Sequence, residues 1–442
     1  MMFKKRIIGC SVAGALLAMA GNAAASGFGL LEQSASGLGN AYAGGAAGAE
    51  DATTIFFNPA GMSRLSGKQI VVGATAIKPT GKFAGTVTGL APLQVAGTGA
   101  GGDAGSWELV PNAYFAMEVN PRTRVGLGIN APFGLQTEYD PAWMGRYQGI
   151  KSRLETINLN PSISYQVNDT VTLGAGVNYQ RIKGVLTSMT NFSAAAFAAG
   201  AGVFALVGAN KEGLSTLTGS DTAWGYNLGA LINVSPVTRV GVAYRSRLKY
   251  NLGGTVTFAN RPAALAAALP DQAVTLAVTT PDIFSVSAVH QLDDKWEIMG
   301  DATWTGWSVF QQLNVLKMNG TSLSVPTPEN WKDTWRISAG ASYRYNSQWL
   351  ARMGVGYDQT PISDAYRTVR IPDQDRYQIA LGGQYKPTRD SAIDFSYSHL
   401  FMRNAAVNQN AAVNTDLAGK GLLSGSFKVS ADILSVQYTY GF

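Results

Sequence analysis

The chain has 442 residues, a formal net charge of +6 and 46% hydrophobic residues, but only 14% charged residues, against about 25% in typical soluble proteins. It is too long and too apolar to be disordered, and its 51 glycines and 18 tyrosines are unlike an ordinary soluble enzyme. The basic balance is mild and dispersed, so no nucleic-acid partner is expected.

In chain order, Met1 to Ala25 reads as a secretory signal. Lys4, Lys5 and Arg6 form its basic region, Ile7 to Ala20 its apolar stretch, and Ala23-Ala24-Ala25 its small-residue cleavage site. Ile7-Ile8-Gly9-Cys10 resembles the approach to a lipidated cysteine, but almost no apolar run separates it from Arg6. Cys10 is the sole cysteine, so cleavage leaves no disulfide and no cysteine metal site. Beyond the signal there is no run of about 18 apolar residues, which excludes a helical membrane span. A secreted chain this apolar points to an outer-membrane barrel.

Residues 26–66 are crowded with Gly, Ala and Ser and show neither strand alternation nor a long helical stripe. Such a segment packs well as a plug, because small residues let backbone approach backbone and turn freely. The predicted organisation is a signal peptide (1–25), an N-terminal hatch (26–66) and a barrel (67–442).

From there the period is two. In Trp335 to Tyr345 the odd positions are Trp, Ile, Ala, Ala, Tyr and Tyr, and the even ones Arg, Ser, Gly, Ser and Arg. Ile157 to Val167 and Tyr377 to Tyr385 repeat the pattern. Alternation alone does not say whether the apolar face meets a core or lipid. Connection lengths do: tight turns at 120–123, 168–170, 235–238, 293–294, 346–347 and 387–390 alternate with long loops near 80–105, 133–150, 188–219, 259–274, 311–330, 358–374 and 403–424. That predicts an all-β fold, an antiparallel transmembrane β-barrel of about fourteen strands with an N-terminal plug in the lumen, short turns periplasmic and long loops outside. The last strand ends on Phe442, with Tyr440, Tyr438, Val436 and Leu434 at steps of two. A terminal aromatic there resembles the signal read by the barrel assembly machinery. Upstream the apolar phase shifts to Phe427, Val429, Ala431 and Ile433, which predicts a β-bulge at Ile433-Leu434.

Two external loops are apolar: Phe192 to Val207, with Phe197, Phe204 and Leu206, and Pro262 to Leu269, with Leu265. They read either as a binding surface or as helices that cap the barrel. Arg336 and Arg376 are predicted to face the lumen in its outer half, where they would hold a ligand carboxylate or pair with wall and plug acids such as Glu50 and Asp51. Arg181 and Lys183, near the outer end of strand five beside the apolar loop, are also candidates to bind the ligand carboxylate, although simple alternation turns them to lipid, where lipopolysaccharide phosphate would be the partner. Asn130-Ala131-Pro132-Phe133-Gly134 would kink or open strand three, because proline removes a ladder donor and glycine weakens pairing. His290 and His399 are the two histidines and fall at opposite ends of the predicted barrel, so no catalytic residues, metal or cofactor are expected. A Ser-His dyad of an outer-membrane lipase is the enzymatic alternative.

Ser26-Gly27-Phe28, Ser36 to Gly44, Glu50-Asp51-Ala52 and Asn58-Pro59-Ala60 resemble the hatch of the FadL family, outer-membrane transporters of long-chain fatty acids and related hydrophobic compounds. Leu154 to Asn160 and Phe442 are similar to that family too. The resemblance implies a fourteen-stranded plugged barrel and passive, ligand-gated uptake of a long-chain fatty acid. Capture would occur between the apolar loops, with Phe28 near an interior site, Asn58-Pro59-Ala60 holding the hatch and Asn130 to Gly134 bordering a lateral exit. Beyond strand five, where the family carries further basic residues, this chain has Arg181 and Lys183 followed by Val185-Leu186-Thr187. Aromatic or alkane hydrocarbons are therefore the alternative substrates, and a general polar porin the alternative class.

Overall fold

The structure, a computed structural model, describes residues 27–90 and 93–442. The expected signal, 1–25, lies outside the described residues. Alternation resolves in favour of a membrane barrel, because the apolar face points outward. Trp335, Ile337 and Tyr345 are exposed, whereas Arg336, Ser338 and Ser342 between them are buried. The same holds for exposed Leu159 and Ile163 against buried Asn158 and Asn160.

Fourteen strands form one closed antiparallel ring. They are β1 (Lys68–Leu90), β2 (Glu108–Asn120), β3 (Thr123–Asn130, resuming as Gly134–Glu138), β4 (Lys151–Gln166), β5 (Val171–Asn191), β6 (Glu212–Ser235) and β7 (Thr238–Arg245, resuming as Leu248–Phe258). The ring continues through β8 (Gln272–Thr280, resuming as Ile283–Gln291), β9 (Trp296–Thr305), β10 (Thr334–Arg344), β11 (Trp349–Asp358), β12 (Arg376–Tyr385), β13 (Ser391–Met402) and β14 (Lys420–Gly441). Closure gives every strand two neighbours and leaves no free sheet edge apart from an interruption in β3, which meets the condition for spanning a bilayer with strands. The seam is the β1–β14 ladder, from Gln69 opposite Gly441 to Leu90 opposite Lys420. Aromatic pairs such as Trp296–Tyr343 and Trp349–Tyr385, at 4.7 and 4.6 Å, sit near the short-turn end, where an interfacial girdle belongs.

Two expectations are corrected. No bulge occurs at Ile433-Leu434, because both ladders of β14 run there in unbroken register. Ile433 faces inward against Leu30 and Leu38 while Leu434 faces lipid, so two apolar surroundings, not a slip, produce the apolar doublet. In addition β1, β5, β6 and β14 run several residues past their predicted outer ends. Above the lipid there is no apolar partner for the outward face, and the hydrophobic alternation fades although the ladder continues.

Residues 27–65 lie inside the ring and bond to it around the circumference. Ala35 O accepts from Ser396 Oγ (2.7 Å), Asn40 Nδ2 donates to Ala341 O (2.9 Å), and Ala46 N donates to Ser287 Oγ (3.0 Å). Phe56 O accepts from Arg245 (2.8 Å) and Leu65 O from Arg124 (3.0 Å). The short helices α1 (Ala35–Gly39) and α2 (Thr54–Phe57), the 3-10 turn Pro59–Arg64 and a run of tight turns bond much of this segment to itself, and the lumen wall supplies partners for polar groups that the turns leave over. Small residues permit the approach. A Cβ on Gly354 would stand 2.2 Å from the Asn40 carbonyl carbon, and one on Gly229 would stand 1.9 Å from Asn58 Oδ1. Charge adds a latch: Arg352 bonds both Asp394 of the wall and Glu50 of the plug at 2.6 Å.

Candidate functional site

The external helices α3 (Phe192–Ala199) and α4 (Ala201–Val207) are separated by Gly200 at φ +117°, a conformation that favours glycine. Asn191 caps α3, its side chain accepting from Ala194 N at 2.9 Å. Phe192, Ala196 and Val207 are buried with Leu265 of the neighbouring loop, and Phe204 and Leu269 pack on this cluster. The two apolar loops therefore do cap each other. Phe197 and Leu206 nevertheless remain 67% and 78% exposed, leaving an apolar external surface.

Below lie two cavities. The outer one, about 810 Å³ of free space including its mouth, is lined by Phe28, Leu135, Ile182, Leu186, Leu252, Leu276 and other apolar side chains, with Arg153, Glu329 and Arg370 among its few charged groups. The inner one, about 960 Å³, runs between the plug (Leu30, Leu31, Tyr42, Phe57) and a more polar wall with Asp301, Arg336 and Asp358. An apolar pocket with a few convergent polar groups is the usual form of a small-molecule site.

Phe28 stands where the cavities meet. It is 2% exposed, with ring centroids of Trp307, Phe310, Trp331 and Phe133 at 4.7, 5.5, 5.5 and 5.9 Å. Phe28 and Phe310 line the outer cavity, whereas Phe133 and Trp307 line the inner one. Gly27 N donates to Asp373 Oδ2 at 3.1 Å, and the same oxygen accepts from Thr360 Oγ1 at 2.7 Å.

The β3 interruption is beside it. Ala131, Pro132 and Phe133 stand against only Thr156 and Ile157 of β4, so β3 carries one extra residue. The β2–β3 ladder ends at Ala113–Ile129, and the resumed half of β3 has no ladder to β2. The N-terminal segment bonds in its place: Leu30 N donates to Pro132 O (2.8 Å), Gly134 N to Phe28 O (2.9 Å) and Gln33 Nε2 to Ala131 O (2.8 Å). Gly29 and Phe133 form an antiparallel bridge. Pro132 and Phe133 line the inner cavity, while Asn130 sits below the interruption, accepting from Asn158 Nδ2 at 3.1 Å.

Asn58 is fully buried, donates to Ala46 O (2.7 Å) and Ala230 O (3.0 Å), and accepts from Ala60 N (3.0 Å), fastening plug to β6. Pro59 starts the turn that follows, and Ala60 lies against Gly174 of β5. The cations expected at the ligand need correction. Arg181 and Lys183 are exposed on the outer face of β5, and buried Ile182 between them lines the cavity instead, as the two-residue period dictates. Arg336 does line the inner cavity, but it is engaged by the Ala41 carbonyl, Ser338 Oγ (3.2 Å) and Gln378 Oε1 (3.1 Å), with Asp301 at 3.9 Å. Arg376 pairs with Asp373 at 2.5 Å and Asp358 at 3.8 Å, so it holds the carboxylate that holds Gly27.

Two of the three charged groups of the outer cavity were not legible in the strands, because Glu329 and Arg370 come from loops. Glu329 accepts from Trp331 Nε1 at 3.0 Å, and burial pushes its carboxyl up to about 8. Arg370 donates to Ser152 Oγ (3.1 Å) and Lys151 O (3.2 Å); burial lowers it to about 10, so it stays cationic at neutral pH. Arg153 is paired with Glu155 at 2.5 Å. His290 and His399 are far apart in the ladder, bonded to Thr238 Oγ1 and Asp432 Oδ1 respectively, each at 2.7 Å.

A family model described as outer membrane protein transport protein (OMPP1/FadL/TodX) matches residues 16–442. The chain belongs to this family. It is 30% identical over 426 residues to the long-chain fatty acid transport protein of Escherichia coli (strain K12), which covers 91% of this chain and 93% of that protein. It is 32% identical over 415 residues to outer membrane protein P1 of Haemophilus influenzae, covering 88% and 89%. A solved Pseudomonas aeruginosa FadL homologue matches with a TM-score of 0.85 and 29% identity, over 94% of this chain and 100% of that one. The Ralstonia pickettii toluene transporter TbuX shares the fold at a TM-score of 0.66 and 22% identity, over 94% and 99% of the two chains. This FadL-family chain is accordingly an outer-membrane transporter of hydrophobic compounds and not an enzyme.

Proposed function

We propose that this chain takes up long-chain fatty acids by a passive, ligand-gated route with lateral release. The ligand is gathered on the apolar surface around Phe197, Phe204 and Leu206, enters the outer cavity, displaces Phe28, and leaves through the wall at Pro132 to Gly134. One observation carries this reading. The segment that carries Phe28 also makes the hydrogen bonds that the interrupted β3 lacks, so a ligand that moves Phe28 loosens the wall. Each buried methylene is worth about 0.8 kcal/mol, so a chain of about sixteen carbons gains on the order of ten kcal/mol in such a cavity. It would stall there unless the pocket opened, and exit into lipid spares it water.

Arg370 beside a largely neutral Glu329 favours a carboxylate over a neutral hydrocarbon. With a folded-state value of about 8, Glu329 is mostly protonated at pH 7 and mostly ionised at pH 9, so its negative charge grows as pH rises. Affinity for a fluorescent fatty acid in detergent is expected to fall by about tenfold, ~1.4 kcal/mol, between those values. The Glu329→Gln variant should lose most of that dependence, and a fatty-acid methyl ester should show little. An ester bound as well as the acid, at every pH, favours hydrocarbons as the substrates.

Uptake of a radiolabelled long-chain fatty acid by cells lacking their own transporter tests the assignment. The intact chain should restore uptake. No uptake by a correctly assembled barrel overturns the fatty-acid reading.

A further inference from the structure

On the outer wall, at the β1–β14 seam, Lys82 stands directly opposite Lys428 in register. Both point outward, since Gly81, Phe83, Phe427 and Val429 on either side are buried. Like charges directly opposed across a ladder repel and weaken the pair. A single carboxylate, Asp103, lies 3.9 Å from Lys82, and among the described residues Lys428 has no ion pair. The nearby Lys78 is turned away, donating to Gly105 O at 2.7 Å, and Asp432 is taken up by Tyr397 and His399, both at 2.7 Å.

The position of the patch identifies what would satisfy it. Below it on the same outward face, β14 exposes Leu434, Val436, Tyr438 and Tyr440, a stripe suited to acyl chains. The aromatic edge of that stripe is Phe401, half exposed and opposite Ser430. Lys428 is two residues further toward the long loops, about 7 Å along the strand. We propose that Lys82 and Lys428 bind the phosphate of an outer-leaflet glycolipid, the bisphosphorylated lipid A portion of lipopolysaccharide, with its acyl chains along the β14 stripe. Charge-assisted bonds from the two cations to phosphate oxygens offset the repulsion the bare wall carries.

The test uses the full mature barrel in detergent, titrated with bisphosphorylated lipid A and with the same lipid stripped of phosphate, and read by native mass spectrometry. The intact barrel should prefer the phosphorylated lipid by at least about tenfold, ~1.4 kcal/mol. The Lys82→Gln/Lys428→Gln variant, and Lys428→Gln alone to a lesser degree, should lose that preference. Because the substitutions remove repulsion, the lipid-free variant should unfold at the same temperature as the parent or higher. The proposal is overturned if the double variant keeps the preference, if stripped lipid binds equally well, or if inorganic phosphate alone competes at equal concentration.

Discussion

Deletion of Pro132 alone is expected to cut uptake of hydrophobic substrate by more than tenfold while the barrel still assembles. Three residues of β3 now face two of β4 between the Asn130–Asn158 and Gly134–Glu155 pairs. Removing one makes the counts equal, and removing the proline removes the residue that lacks a backbone donor. A continuous β3 could then pair with β2 beyond Ala113, where the ladder now stops. The gap would be replaced by wall. Assembly is checked by the heat-dependent mobility of the barrel on SDS gels, and ligand binding in detergent should be retained. Retained uptake would place the exit elsewhere.

The second large effect concerns the plug. The Arg352 side chain has no solvent exposure and lies between fully buried Asp394 and the plug's Glu50. Arg352→Leu leaves Asp394 buried without its ion partner, a change that typically costs about 3–5 kcal/mol. Undocking the plug, which Arg352 also ties through Glu50, opens the Asp394 carboxylate to lumen water and relieves the cost, so the ratio of detached to seated plug shifts by more than about a hundredfold. The variant should conduct ions in planar bilayers where the parent is closed, and its urea midpoint should drop. Replacing Asp394 with Leu as well should recover much of the midpoint, because the orphaned charge is then gone, while the lost bond to Glu50 remains.

Much of the barrel was legible because a membrane wall imposes a strict two-residue period, and turn chemistry marks where the wall reverses. Ser246-Arg247 and Pro281-Asp282 interrupt β7 and β8 without breaking the neighbouring pattern, so they passed unseen, whereas Pro132-Phe133-Gly134 carried its own signal. The site was less legible. Phe28 meets Trp307, Phe310 and Trp331 only through closure of the ring, and no local spacing relates residues so distant in sequence. Glu329 and Arg370 lie in loops, where charge ordinarily means solvent. For Arg181 and Lys183 the alternation around buried Ile182 already held the right answer, and the pull of a basic pair beside an apolar loop obscured it.

The most direct test of the central claim, that the N-terminal segment must leave the β3 interruption for substrate to pass, is a reversible lock. Gly29 and Phe133 are bridge partners flanked by the Leu30–Pro132 and Phe28–Gly134 hydrogen bonds, a close cross-strand pairing suited to a disulfide. The described residues contain no other cysteine. Uptake of labelled fatty acid by the Gly29→Cys/Phe133→Cys barrel should be lost on oxidation and return on reduction, with both single variants unaffected by oxidant. Undiminished uptake through the fully cross-linked barrel would contradict the account.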